Sequence, residues 1–303
     1  MKQLCMTLMG ALAALAVASC NKTDSAMPNG GGGASDGRVA VQFSAGSLDV
    51  RPDTPTRGDW TIRDGKIGIY VLDATGPTIA DGYANVGYRF DAERRIFVPL
   101  SETIYFPVDG SKRRFVAYSP CREVADGLFK VDLSEQPAPE EQGARELLWT
   151  DVTPAYDKTT PDVRLEFKHQ YAKLTVRVKN GAGLTGEDLK GLVVSISDMR
   201  LKADFQLLTG KMTPTGDPGV LTLRGAAADG SVHTALVLPT EPAEKRTMNF
   251  KLGDDTFFWN IADKRFEAGK TYEYTVTANR TALGLLVTVA DWEEGETGIG
   301  VAE

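Results

Sequence analysis

Residues 163–179 read VRLEFKHQYAKLTVRVK, with apolar positions at every second residue in two opposed phases. Val163, Leu165 and Phe167 share one face, and Arg164, Glu166 and Lys168 share the other. Past Tyr171 the apolar set becomes Ala172, Leu174, Val176 and Val178, one residue out of step. Such a slip turns a whole apolar set toward solvent, so one continuous strand cannot carry both phases on one sheet face. Either a bulge absorbs the slip near residues 169–171, or the chain leaves one sheet there and enters another. Its place near mid-chain makes this stretch the expected hand-over between two β-domains.

Before it, short alternating runs come at close spacing. After an isolated strand carrying Val39, Val41 and Phe43, they are KIGIYVL (66–72), YRF (88–90), IFVPL (96–100), TIYFPV (103–108), RFVAY (114–118), LFKVDL (128–133) and ELLWT (146–150). After it come LVVSIS (192–197), MRLKADFQLL (199–208), VLTLR (220–224), VHTALVL (232–238), TMNFKL (247–252), TFFWNI (256–261), TYEYTVTA (271–278) and GLLVTVADW (284–292). Asp-Gly and Asn-Gly pairs at 109–110, 126–127, 180–181 and 229–230 mark turns between them. Only one-turn helices are expected, for example residues 185–189 with Thr185 as cap. Many short strands without a sustained 3.6-residue period predict an all-β chain of sandwiches. A length of 303 residues exceeds what one core usually organises, so two domains are expected.

Charge narrows the partners. The chain carries 34 basic and 41 acidic side chains, a net charge of −7. Residues 1–19 hold one Lys and no acid, so without them the charge is −8. An acidic surface with no basic stripe repels phosphate backbones, and no nucleic-acid partner is expected.

The N-terminus has the order of an export signal: Lys2, an apolar run from Leu8 to Ala18, then Ser19 and Cys20. The run is too short for a permanent span. Small residues before a Cys resemble the bacterial lipobox, which makes residues 1–19 a signal peptide and Cys20 an acylated (palmitate-bearing) anchor; ordinary secretion is the plainer reading. Several acyl chains hold a protein on a membrane where one does not. Residues 20–37 are polar and Gly-rich, a flexible tether. Residues 49–59 (DVRPDTPTRGD) carry Pro52 and Pro55 and predict an exposed loop that presents Arg57 to a trypsin-like protease.

Catalytic chemistry is sparse. Of three cysteines, Cys5 leaves with the signal and Cys20 is acylated, so Cys121 has no disulfide partner and reads as a small hydrophobe, buried or half-buried. The two histidines, His169 and His233, lie inside strand patterns and read as core or domain-edge groups. No metal or cofactor site is expected, and no nucleophile–base set marks an enzyme. Acidic pairs at 254–255 and 293–294 read as solvated turns, and Lys112-Arg113-Arg114 as a solvated hairpin end. Arg57-Gly58-Asp59 spells the integrin tripeptide, too short to carry weight. Phe257, Phe258 and Trp259 alternate across a strand, either as packing or as an aromatic platform for sugars.

Four stretches together resemble the fimbrillin family, lipoprotein-derived pilins of Bacteroides-like bacteria. They are the lipobox Cys20, TRGDWTIRDGKIGIYV (56–71), LEFKHQYAKLTVRV (165–178) and FEAGKTYEYTVTANRTALGLLVTVADWEEG (266–295). The resemblance implies two tandem transthyretin-like β-sandwich domains, mostly antiparallel. With the signal and tether set aside, these run over 38–160 and 161–303. It also implies export to the outer membrane as a lipoprotein and cleavage between Arg57 and Gly58, with Arg51 and Arg63 as other candidate sites. Residues 38–57, with Val39, Val41 and Phe43, would then leave as a removable first strand. A strand of another pilin subunit would take its place, building a surface fimbrium that meets a host or bacterial ligand. The competing expectation is a lipid-anchored surface glycan-binding protein.

Overall fold

Residues 37–46, 65–281 and 284–290 are described by the structure, a computed structural model. At the mid-chain hand-over the chain changes sheets. Asp162–Leu165 and Lys168–His169 belong to an eight-stranded sheet, whereas Ala172–Asn180 belongs to a five-stranded one. Val163, Leu165 and Phe167 enter the first core and Ala172, Leu174, Val176 and Val178 the second, which is why the two phases coexist. Sheet membership thus switches between His169 and Ala172, later than the expected boundary at 160/161. The reason is that Asp162–Leu165 hydrogen-bonds to Gln42–Ala45.

The eight-stranded sheet runs Asp162–Leu165, Gln42–Ala45, Ile96–Pro99, Val86–Asp91, Lys66–Asp73, Arg113–Ser119, Leu148–Tyr156, Lys168–His169. A small pair, Val39–Ala40 with Tyr105–Phe106, lies beside it. In the second half, Arg224–Gly225, Val232–Val237, Ala172–Asn180, Thr271–Thr281 and Gly284–Ala290 form the five-stranded sheet. It packs on a four-stranded sheet of Gly219–Thr222, Val193–Met199, Thr247–Leu252 and Asp255–Asn260. Described strand pairs are antiparallel except two: Asp162–Leu165 with Gln42–Ala45, and Ala172–Asn180 with Thr271–Thr281.

A third core joins the halves. Lys202–Gln206, from the second half, pairs with Leu128–Asp132 from the first, and Lys211–Thr215 completes a three-stranded sheet. Phe129, Val131, Ala203, Phe205 and Leu207 cover the back of the eight-stranded sheet, where Tyr70, Leu72, Val116 and Tyr118 point. The Trp149 indole N–H donates to the Leu207 carbonyl at 2.8 Å, tying the layers together. This explains the continuous apolar run of Lys66–Asp73: both faces are buried, so alternation is lost. Gly68 lies where the layers meet most closely; a Cβ there would stand 2.4 Å from both the Tyr118 ring and Asn85 Oδ1.

Smaller departures have local causes. The expected strand 199–208 is shorter, and Lys211–Thr215 pairs with it as a hairpin although its face pattern is polar. A short helix, Gln142–Arg145, follows the 3₁₀ turn Pro139–Glu141, and four residues carry no readable period. Thr185 is not the cap of a helix beginning at its own position; its N–H and hydroxyl donate to Asp188 Oδ2, which opens the 3₁₀ turn Asp188–Gly191.

Candidate functional site

The Gln42–Ala45 strand is threaded between two others, parallel to Asp162–Leu165 on one flank and antiparallel to Ile96–Pro99 on the other. It is the only strand hydrogen-bonded to Asp162–Leu165 among the described residues. Beyond the ladder, Val41 N–H donates to Ile104 O at 2.9 Å, Gln42 N–H to Pro161 O at 2.9 Å, and Gly46 N–H to Leu165 O at 2.7 Å. Alternation decides which side chains go inward. Val41 and Phe43 are buried, whereas Gln42 is exposed.

Phe43 is the anchor. Its ring meets Tyr88 and Phe115 edge-on, each at 5.3 Å between centroids, and its backbone lies opposite Phe97 and Val163. Burying such a ring contributes about 1.5–3 kcal/mol by area alone. Tyr88 also accepts the Ile104 N–H on its hydroxyl at 2.9 Å, and burial pushes its pKa up to about 12. Val39 and Ala40 pair with Phe106 and Tyr105, and Arg38 sits over the Tyr105 ring at 4.8 Å. Lifting residues 38–46 away would bare backbone groups on Asp162–Leu165 and Ile96–Pro99, with an apolar slot floored by Tyr88, Phe97 and Phe115. Unpaired strand edges of that kind are templates for another strand.

Of the sequence-predicted site residues, Val41 and Phe43 share the first core, whereas Val39 lies outside the slot. Val39 is half-buried on the small flanking pair. Cys20, Arg57 and Gly58 lie outside the described residues, as do Arg51, Arg63 and the 293–294 acidic pair. The slot-lining Tyr88, Ile104 and Phe115 were not singled out from sequence; they sit in ordinary alternating strands, and only pairing shows whose neighbours they are.

The remaining candidates are structural. His169 Nδ1 lies 2.6 Å from Glu146 Oε1 at the point where the chain changes sheets. Burial pushes the Glu146 carboxyl above its ordinary value, with His169 pulling the other way. His233 is buried with Nε2 3.0 Å from Gly230 O, and burial lowers its pKa. Cys121 is half-buried, and desolvation raises its thiol. Contrary to the expected solvated hairpin end, Arg113 is paired with Asp81 at 2.6 Å and Arg114 lies 3.2 Å from Asp151, both side chains largely covered. Phe257 and Trp259 pack into the second core, and Phe258 points outward. Among the described residues no group of three or more His, Cys, Asp or Glu side chains could hold a metal, and no helix is long and apolar enough to cross a membrane.

Comparison with known proteins adds to this geometry. A family model described as fimbrillin-like matches residues 54–292. A Bacteroides uniformis protein provisionally named fimbrium subunit Fim1C is 35% identical over 285 residues, covering 87% of this chain and 88% of its own. The crystal structure of a B. uniformis protein provisionally described as a cell adhesion protein superposes with a TM-score of 0.66. It is 32% identical, and the match covers 86% of this chain and all of that one. A Bacteroides ovatus structure of the same description, 19% identical, shares the fold with a TM-score of 0.61 over 84% of this chain and 96% of its own.

Proposed function

The chain belongs to the fimbrillin-like family, and from that premise we propose that it is a structural or adhesion subunit of a surface fimbrium, exported as a lipoprotein and assembled by strand exchange. In this reading Cys20 carries the lipid that holds the precursor in the outer membrane. Cleavage between Arg57 and Gly58 frees the first strand, and a neighbouring subunit's strand occupies the vacated slot.

The observation that carries the reading is the seat of Phe43. A strand with one fully buried aromatic is held between two partners by a short ladder and a few apolar contacts. While the chain is intact, the strand's return to its slot is intramolecular and its effective concentration is high. Once the 47–64 connection is cut, rebinding becomes bimolecular and the strand is lost by dilution. The slot then offers ladder hydrogen bonds for affinity and the Phe43 pocket for register, the two terms of β-augmentation. An in-register replacement would run parallel to Asp162–Leu165 and set a large apolar residue in the Phe43 position.

Limited trypsin digestion with mass spectrometry, followed by sizing, tests this. The expected result is a first cut after Arg57 and a higher-order species afterwards, with Arg57→Ala remaining uncut there and monomeric. A trimmed protein that has lost residues 38–57 and stays monomeric at high concentration would overturn strand exchange.

A further inference from the structure

We infer that the outward face of the four-stranded sheet in the second half binds a neutral glycan, with Phe258 as the stacking platform. The register lines up one residue from each strand across that face: Thr222 opposite Ser195, Ser195 opposite Asn249, and Asn249 opposite Phe258. At ordinary strand spacing this row spans roughly 14 Å. Phe258 is 67% exposed, the most exposed of the large hydrophobic side chains among the described residues. Its inward neighbours Phe257 and Trp259 are packed into the second core, so the strand holding Phe258 is well anchored.

Two features select the occupant. First, the chain carries 41 acidic side chains, yet none of the four residues of the row is charged; the flanking outward positions carry Lys251 and, at the bulge between Ile196 and Met199, Asp198. Acidic polymers are repelled by the surrounding surface, while a neutral one meets no opposing charge here. Second, the polar groups of the row are free to bond. Asn249 Oδ1 accepts from Thr247 Oγ1 at 3.2 Å, and among the described residues its Nδ2 and the Ser195 and Thr222 hydroxyls have no partner. An exposed ring beside a line of amide and hydroxyl groups matches a pyranose: C–H bonds over the ring's negative face, hydroxyls along the row. A protein partner fits less well, since the exposed apolar residues Val193 and Val220 lie on opposite sides of the row and form no contiguous patch with Phe258.

Affinity gel electrophoresis of the full chain tests the inference, with galactomannan, arabinoxylan and dextran as neutral probes and polygalacturonate as the acidic one. Expected is retardation by at least one neutral polymer and none by polygalacturonate. Phe258→Ala should weaken the interaction roughly tenfold, Phe258→Trp should preserve it, and Ser195→Lys should block it. Because Phe258 is a surface residue, the urea midpoint of Phe258→Ala should match wild type. Absence of retardation by all three neutral polymers, equal retardation of Phe258→Ala, or preference for polygalacturonate would each overturn it. So would a wild-type dimer in sedimentation that Phe258→Lys dissolves, which would give the face to a second copy of the chain. Strand exchange at the Phe43 slot does not enter this test, so the two readings stand or fall separately.

Discussion

The ring of Phe43 meets the ring of Tyr88 edge-on, and the Tyr88 hydroxyl accepts the Ile104 N–H, whose own carbonyl accepts from Val41. One tyrosine therefore supports both the anchor of the first strand and the segment that pairs with it. Phe43→Ala should lower the stability of the uncut chain by about 3–5 kcal/mol through the cavity left between Tyr88 and Phe115. Urea unfolding measures it, and amides of Asp162–Leu165 should exchange faster as their partner strand opens more often. A loss below about 1 kcal/mol would mean the strand is not anchored by this ring.

Gln136 closes a sheet edge with its side chain. Arg224–Gly225 pairs with the neighbouring strand only at Thr234 and His233. Beyond it, Gln136 Nε2 donates to Leu236 O at 3.1 Å and to Leu133 O at 2.9 Å, while Oε1 accepts the Leu236 N–H at 2.8 Å. Gln136→Glu keeps the shape but turns a carboxylate oxygen toward two carbonyls. It should cost about 1–3 kcal/mol at neutral pH, and less in acid, where the protonated form donates again. Equal urea midpoints for the two proteins at pH 7 would contradict this.

Gly68 has no room for a side chain. Gly68→Ala presses a methyl into Tyr118 and Asn85, and overpacking of this kind costs about 1–3 kcal/mol. The Tyr118 hydroxyl donates to Arg122 O at 2.7 Å and lies 2.8 Å from Asn85 Oδ1, so the ring cannot move aside without loosening that network. Thermal unfolding should show the loss, and an unchanged midpoint would show that the layers can separate freely.

Glu146 makes the hand-over segment sensitive to pH. Its carboxyl is raised above the ordinary 4.5, chiefly by burial, with His169 and Lys173 opposing. A group whose folded pKa lies above its unfolded one gives stability that is fully present below the unfolded value and is lost as pH rises through the folded value. Stability should therefore decline from about pH 4.5 upward until Glu146 is ionised, by about 1.4 kcal/mol for each unit of displacement. Glu146→Gln removes the titration and should flatten that decline in urea midpoints read across the range. An identical slope in both proteins would exclude Glu146 as its source.

Strand existence was legible because period-two alternation is local. TMNFKL, KIGIYVL and VHTALVL appear almost where they were expected, and the phase slip after Phe167 marked the change of sheet. The candidate site was half legible: Val41 and Phe43 showed that a strand with one buried face begins the described chain. The residues that receive it, Tyr88, Ile104 and Phe115, look like any other core positions.

What the amino-acid sequence determined alone is each strand's inward face and the approximate turn positions, since side-chain burial follows alternation and turns follow Gly and Asp chemistry. Only the tertiary structure decided the neighbours. Every residue except Pro offers the same backbone donor and acceptor, so nothing in Gln42–Ala45 names Asp162–Leu165 as its parallel partner, and nothing in Leu128–Asp132 names Lys202–Gln206. Those pairings, and with them the Phe43 slot and the row ending at Phe258, arise when distant apolar faces compete for the same burial and one arrangement satisfies them all.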